Sequence, residues 1–139
     1  MKTKKTAYLK LSIIDGILHC NYDKQDVVDL NKAKIMVSER VAFCEEKTWP
    51  HLFDISSLKK ITKDARDYLA DEGNRYVTAS AIIVNSPVLK MIANFFITVN
   101  RPKSPTRMFT NKNSALNWLS QYKEISTSSD QSNKVLQVL

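Results

Sequence analysis

Hydroxyl, amide and carboxylate side chains follow three of the predicted strands, at the points where those strands end. They are Asp54, Ser56 and Ser57 after one strand, Asn85 and Ser86 after the next, and Thr110 after the last. Because the carboxyl ends of parallel strands meet at one edge of a sheet, we expect these groups to share a rim. Helix N-termini point free N–H groups at such a rim, which suits an anion or a phosphorylated side chain. An anion or ligand site there would comprise Asn85, Ser86, Arg101 and Thr110. The same residue types are favoured helix caps, and we favour that interpretation.

A set of residues for acid–base or nucleophilic catalysis does not come together in this sequence. Ser56 has no histidine in a comparable loop, because His51 lies at the opposite end of the same strand. His19 lies inside an apolar strand and is predicted to be a packing residue. The carboxylates of residues 64–72 alternate with basic residues at helical spacing, as on a solvent-facing helix. We therefore predict that the protein is not an enzyme.

The chain contains two glycines, two histidines and two cysteines. So few glycines exclude a phosphate-binding P-loop and a glycine-rich dinucleotide turn. The histidines and cysteines lack the close pairing in sequence that zinc sites use, so we predict no metal and no cofactor. Cys44 falls on the apolar side of a predicted helix and is followed by Glu45 and Glu46. It is therefore predicted to be a core residue and not a reactive thiol.

The 139 residues carry a net charge of +7, from 21 Lys and Arg against 14 Asp and Glu. Four of the cations lie in residues 100–112 without an acid among them. That loop suits phosphate groups, but Phe109 is the one aromatic residue within it, so nucleic-acid binding would rest on charge alone and is not the expected function. The absence of an apolar run of about 18 residues predicts no membrane span. With no signal peptide recognisable, we expect a cytoplasmic protein with reduced thiols.

The chain length is typical of one domain, and its apolar periodicity predicts an alternation of strands and helices. Residues 8–13 and 17–22 alternate across Asp15-Gly16, which predicts a β-hairpin. Residues 27–47 read as a long helix with an apolar stripe of Leu30, Ala33, Val37, Val41 and Cys44. The strands that follow are expected at residues 52–56, 76–84 and 106–110, and helices capped by Thr62, by Ser86 and by Thr110 or Asn113. The order β-β-α-β-α-β-α-β-α predicts an α/β fold with a mixed sheet, in which an N-terminal hairpin precedes parallel strands joined by helices.

The helix that begins near Ser86 is apolar over more than one narrow stripe. Met91, Phe95 and Phe96 contribute to that width, so they either line an apolar pocket or contact another subunit in a homodimer. Residues 1–123 are expected to form the domain. The polar composition of residues 124–139 predicts a flexible tail, although Val135 to Leu139 end it with a short apolar segment.

The run Leu-Phe-Asp-Ile-Ser-Ser-Leu at residues 52–58, which leads through Ile61 into the helix of Asp64, resembles the STAS superfamily of anti-sigma-factor antagonists and its STAS/SEC14-like relatives. Residues 105–110 and the Ala-Leu-Asn-Trp-Leu run at 115–119 are similar to the last strand and helix of those relatives. The resemblance extends over residues 8–122.

This resemblance implies a small α/β domain that docks onto a partner through the loop after its central strand. Members of the superfamily carry Asp-Ser-Ser-Gly or a similar sequence there, and a serine is phosphorylated. Here the corresponding residues are Thr62-Lys63-Asp64-Ala65, so the serine is absent. Either Asp64 supplies a permanent negative charge, or Thr62 takes the phosphate, or the switch has been lost, and we favour the loss. The implied contact residues are Ser56, Ser57, Lys60, Thr62, Lys63 and Asp64.

The leading hypothesis is therefore a non-catalytic, cytoplasmic regulatory module that binds another protein. The alternative is a carrier of a small apolar or anionic, lipid-like ligand, for which Met91, Phe95 and Phe96 would line the pocket. Nucleic-acid binding through residues 100–112 ranks below both.

Overall fold

Six strands form one mixed sheet in the computed structural model, which describes residues 2–123. The elements in chain order are β1 (Lys2–Lys5), β2 (Leu9–Ile14), β3 (Ile17–Tyr22), β4 (Gln25–Val28), α1 (Leu30–Cys44), β5 (Trp49–Asp54), β6 (Leu58–Ile61), α2 (Lys63–Asp71), β7 (Val77–Ile83), α3 (Pro87–Phe95), β8 (Thr106–Phe109) and α4 (Lys112–Ser120). A 3-10 turn, Glu72–Asn74, follows α2, and a π-helical turn, Phe96–Asn100, continues α3. The order in the large sheet is β1-β2-β3-β5-β7-β8.

The predicted hairpin is confirmed, and it gains a third strand. Asp15 and Gly16 both have positive φ angles, 51° and 77°, and they connect β2 to β3. Paired left-handed residues match the twist of the flanking strands, which is why Asp-Gly marks such turns. β1 pairs antiparallel with β2, so the lysines at the start of the chain lie on an edge strand. Lysines are common on edge strands because they discourage pairing with another chain.

The parallel half of the sheet is also confirmed. β3, β5, β7 and β8 run in the same direction, and helices connect each of them to the next. β5 begins with Trp49 and Pro50, three residues before the strand start predicted at residue 52. The strand register shifts between these two residues, and such an irregularity tolerates a proline that lacks an N–H group.

A small second sheet was missed by the sequence analysis. β4 and β6 pair in parallel, with Gln25 opposite Leu58 and Val28 opposite Ile61. The prediction places the apolar residues of β4 in the first helix. That helix begins at Leu30 and ends at Cys44, so the predicted helix range of 27–47 is too long. Each of the two strands has four residues, and their partners lie about thirty positions apart, so no local pattern reveals the pairing.

Helices cover both faces of the large sheet, but unequally. α1, α2 and α3 pack on one face over Leu9, Leu18 and Ile82, whereas α4 alone packs on the other. The buried residues of α1 are Ala33, Met36, Val37, Arg40, Phe43 and Cys44. The predicted stripe was therefore wrong at Leu30 and Val41, which are half-buried. A fully buried side chain the size of Leu stabilises the fold by about 2 kcal/mol, so this helix layer carries much of the core.

The ends of two later helices refine the predictions. Ser86 caps α3 as expected, while α4 is capped by Asn111 and by neither Thr110 nor Asn113. The prediction of a flexible tail at residues 124–139, with its apolar end from Val135 to Leu139, lies outside the described residues. Within residues 2–123, no helix combines the length and the hydropathy needed to cross a bilayer.

Candidate functional site

The carboxyl ends of the parallel strands meet at one edge of the sheet, as predicted. Asp54 at the end of β5 lies opposite Ile83 at the end of β7, and Ile83 lies opposite Phe109 at the end of β8. Hydrogen bonds continue past the strands, from the N–H of Ile55 to Ile83 at 3.2 Å and from that of Val84 to Phe109 at 3.0 Å. The loops that carry the polar residues therefore begin side by side.

Several polar side chains of this rim form hydrogen bonds with the backbone of neighbouring residues. The Ser86 hydroxyl accepts a hydrogen bond of 3.2 Å from a backbone N–H in the first turn of α3. The Asn111 amide oxygen does the same for α4 at 2.9 Å. Asp54 accepts from the N–H of Ser56 at 3.0 Å, which fixes the turn after β5. Helix caps and a turn thus account for these groups, while Asn85 and Thr110 are exposed beside them.

The loop between β5 and α2 is held rigidly although much of it is exposed. The first and last residues of β6, Leu58 and Ile61, are buried, whereas Lys59 and Lys60 between them are exposed. The N–H of Thr62 donates to the carbonyl of Val28 at 3.0 Å, so the small sheet fixes the start of α2. Of the predicted contact residues, Ser57, Lys60, Lys63 and Asp64 are exposed, and Ser56 and Thr62 are half-buried. These six residues therefore lie in one segment that follows the carboxyl end of β5.

A carboxylate occupies the N-terminus of α2. The Asp64 carboxylate accepts a hydrogen bond from the N–H of Ala65 at 2.9 Å and another from the Thr62 hydroxyl. The Thr62 oxygen in turn accepts from the same N–H of Ala65 at 3.4 Å. Negative charge at this end of a helix is favourable because the free N–H groups carry partial positive charge. The site where an anion would bind is thus already served by a residue of the chain.

Two cations of the predicted basic loop are engaged within the fold. Lys103 forms an ion pair with Asp71. The Arg107 guanidinium stacks over Phe109 and Trp118, 5.2 Å and 5.8 Å from the ring centroids. Arg101 is exposed and follows the π-helical turn that continues α3, so the length of that helix separates it from the loop after β7 where the predicted rim lies. The loop therefore presents less free positive charge than its sequence indicates.

The apolar side chains of α3 divide between the surface and the interior. Met91 is 68% exposed and Phe95 is 44% exposed. Phe96 is half-buried and lines an interior cavity of about 70 Å³, whereas Met91 and Phe95 lie outside that cavity. The three residues predicted to form one pocket or one contact are therefore separated.

A buried arginine, which the sequence analysis missed, reaches across this cavity. Arg40 is 2% exposed and donates to His51 Nε2 at 3.0 Å, to the Arg75 carbonyl at 3.0 Å and to the Gly73 carbonyl at 2.8 Å. The other ring nitrogen, His51 Nδ1, donates to the carbonyl of Trp49 at 2.8 Å. Burial and the adjacent Arg40 charge hold the pKa of His51 well below its ordinary value, so the imidazole is neutral. The signal was present in the sequence, since Arg40 continues the buried stripe at helical spacing.

The thiol groups of Cys20 and Cys44 are both buried. Burial raises the pKa of Cys20 to about 12, and it also raises the pKa of Cys44. A thiolate is the reactive form, so neither side chain suits a nucleophile, and Cys44 is the core residue that was predicted. Within residues 2–123, the His, Cys, Asp and Glu side chains form no group of three that could hold a metal ion.

A protein-family model matches most of this chain. The model of a domain of unknown function, DUF7793, matches residues 11–123, which is most of the chain. The chain belongs to the DUF7793 family. No match to it is found among curated proteins.

Two solved structures share the fold of this DUF7793 chain. One is an uncharacterised protein of the DUF3478 family with a SpoIIAA-like fold from Shewanella loihica PV-4, with 14% identity, a TM-score of 0.59, and coverage of 84% of this chain and 98% of that chain. The other is an anti-sigma factor antagonist from Mycobacterium paratuberculosis, with 12% identity, a TM-score of 0.60, and coverage of 81% of this chain and 92% of that chain. The DUF7793 chain therefore has the SpoIIAA-like, or STAS-like, fold that its sequence resembles.

Proposed function

We propose that this DUF7793 domain is a non-catalytic regulatory module that binds another protein through the loop after β5 and the N-terminus of α2. The observation that carries the proposal is an exposed charged segment, with Lys60 in β6 and Lys63 and Asp64 at a start of α2 that the hydrogen bond from Thr62 to Val28 holds against the small sheet. A preorganised surface binds with less entropic cost than a mobile loop. The fold likeness to an anti-sigma factor antagonist supports a protein as the partner.

We further propose that the phosphoserine switch of the superfamily has been lost here. The N–H of Ala65 at the start of α2 and the Thr62 hydroxyl itself already donate to the Asp64 carboxylate. A phosphoryl group on Thr62 would place about two more negative charges against that carboxylate. We therefore expect the protein purified from its own cells to be unphosphorylated at Thr62, and an intact-mass measurement with one added phosphate on this residue would contradict the proposal.

The non-catalytic part of the proposal rests on the surroundings of Ser56. Both ring nitrogens of His51 are engaged, one by Arg40 and the other by a backbone carbonyl, and the ring lies inside the core. His19 is buried in β3, where burial and the nearby Lys112 lower its pKa. Neither imidazole is therefore placed to serve as a general base for Ser56.

The proposal is tested by reversing charge on the segment while leaving its caps intact. The variant Lys60→Glu with Lys63→Glu changes two exposed side chains, and Lys10→Glu with Lys47→Glu is a control with the same charge change at exposed positions elsewhere. Tagged full-length proteins are expressed in the native host, and captured proteins are quantified by mass spectrometry. We expect a partner captured by wild type and control to fall about tenfold or more with the test variant, because opposed charges across an interface weaken binding. Equal capture by all three proteins would count against this surface.

We also propose that the exposed apolar side of α3 contacts a second copy of the chain and that the protein acts in the cytoplasm. The side chains concerned are Val88, Met91, Phe95 and Val99. Contiguous apolar surface of this kind is typical of interaction sites. Light scattering should find a dimer for wild type and a monomer for Met91→Lys. A monomeric wild type at high concentration would refute the contact. The two free cysteines are consistent with a reducing compartment.

A further inference from the structure

The cavity beneath α1, α2 and α3 is lined by two arginines that have no acidic partner. Arg40 and Arg66 both contribute to its wall, whereas no Asp or Glu does. Every ion pair within residues 2–123 is made by a lysine, so neither guanidinium meets a carboxylate within 4 Å in that part of the chain. The cavity is therefore strongly cationic.

The protein satisfies the two guanidinium groups to different extents. Arg40 donates to two backbone carbonyls, to the neutral His51 ring and to the Cys44 sulfur at 3.9 Å, which solvate its charge without neutralising it. Arg66 donates to the carbonyl of Ile61 at 2.7 Å, and its Nε is buried without a hydrogen-bond partner among the described residues. A buried donor left unpaired is costly, and a buried cation more so. An anion with acceptor oxygens would accept a hydrogen bond from the Arg66 Nε and would also balance the buried positive charge.

The rest of the cavity indicates which anion fits. Its walls are mainly apolar and include Met36, Phe53, Ile82, Ile92 and Phe96, and it extends to the loop residue Pro102. Its volume of about 70 Å³ is roughly half of the ~150 Å³ cavity that holds benzene in another protein. The space thus suits a charged head with a very short hydrocarbon chain.

We propose that this cavity binds a small aliphatic carboxylate, of the size of acetate or propionate. The carboxylate oxygens accept hydrogen bonds from Arg40 and Arg66, and the alkyl group packs against the apolar wall. Arginine suits this role because its planar fork of N–H groups matches the two carboxylate oxygens. The segment after β5 contributes Ile55 and Ile61 to the cavity wall, but the exposed residues of the proposed partner surface, Lys60, Lys63 and Asp64, do not line it, so propionate binding and partner capture are tested on different side chains.

The test is a calorimetric titration of the full-length protein with propionate, with 1-propanol as the uncharged analogue and inorganic phosphate as the anion without a hydrocarbon chain. We expect saturable binding of one propionate and binding weaker by about tenfold or more for the other two probes. Failure of propionate to saturate at millimolar concentration would overturn the proposal. Tighter binding of phosphate would overturn the assignment of a carboxylate.

Variants locate the site. Arg66→Gln removes the charge of a half-buried side chain and should weaken propionate binding by about tenfold. The guanidinium of Arg66 lies 5.1 Å from the centroid of the Phe95 ring, and that of Arg107 lies 5.2 Å from the Phe109 centroid. Because Arg107 lies outside the cavity, Arg107→Gln is the matched control, and its affinity should match wild type. Ala93→Leu narrows the cavity and should abolish binding, with circular dichroism confirming that the variant is folded. Wild-type affinity in folded Arg66→Gln or Ala93→Leu would show that propionate binds elsewhere and would refute the proposal.

Discussion

The contact between Arg40 and His51 makes the stability of the fold depend on pH in a calculable way. Burial disfavours the charged form of the His51 ring, and protonation would also place a second positive charge 3.0 Å from the Arg40 guanidinium, so the pKa of His51 is well below 6.5 in the folded protein. In the unfolded chain the same side chain has an ordinary pKa near 6.5. The unfolded state therefore binds the extra proton first as the solution becomes more acidic. Stability from this group is complete above that pH and is lost as the pH falls below it, until the pKa of the folded state is reached.

The size of this pH effect on the free energy of unfolding follows from the binding of one proton to His51. One pH unit below the unfolded pKa, at about pH 5.5, protonation of the unfolded state by this residue lowers the free energy of unfolding by about 1.4 kcal/mol. The comparison is made with His51→Gln, whose amide does not titrate. Urea unfolding of both proteins at about pH 7.5 and about pH 5.5 should show that wild type loses about 1.4 kcal/mol more than the variant. His19 is present in both proteins, so its own contribution cancels.

An equal loss of stability in wild type and His51→Gln would refute this reasoning, because His51 would then titrate alike in both states. A gain of wild-type stability on acidification relative to the variant would refute it more strongly, since it would mean that the folded protein favours a charged His51 beside Arg40. The variant should also be less stable at neutral pH by roughly 1–3 kcal/mol, because the glutamine amide cannot keep both the acceptor that faces Arg40 and the N–H that donates to the Trp49 carbonyl.

Three further predictions concern turns, caps and thiols. Ser86→Ala should lower the free energy of unfolding by about 1 kcal/mol in urea, because the hydroxyl caps the first turn of α3. An unchanged midpoint would show that the cap contributes nothing. Gly16→Ala should lower the melting temperature, because alanine at a φ of +77° is strained, whereas Gly73→Ala should be nearly neutral since its added methyl group meets Leu69 at ordinary contact distance. Similar losses in the two variants would contradict this account. Cys20 and Cys44 should react with a thiol reagent at the rate of unfolding, as they are buried and their pKa values are raised. Rapid modification of the folded protein would be the opposite result.

Local signals were sufficient for much of the fold. The Asp15-Gly16 turn and the Ser86-Pro87 helix start depend on atoms a few residues apart, so the sequence alone specified them. The alternation of strands and helices, with a helix between each later pair of strands, in turn required a parallel arrangement and brought the polar strand ends to one edge. The rim and the class of fold were therefore predictable from neighbouring residues and periodicity.

Other features depend on residues that are distant in sequence. β1, β4 and β6 are each four residues long and became strands because a partner strand offers free backbone hydrogen bonds, which no local pattern encodes. The hydrophobic residues of α3 read as one group, yet only packing against α2 and the sheet decided that Met91 remains outside while Phe96 turns inward.

The amino-acid sequence by itself determined the α/β class, the hairpin, the caps of α2 and α3, and the lack of residues suited to bind nucleotide phosphates through a glycine-rich loop. The tertiary structure alone decided that Arg40 is buried against His51 and that Arg66 lines the same cavity. The physical reason is that caps and turns are satisfied within a few residues. The environment of a buried charge, by contrast, is assembled from strands and helices that meet only when the whole chain has folded.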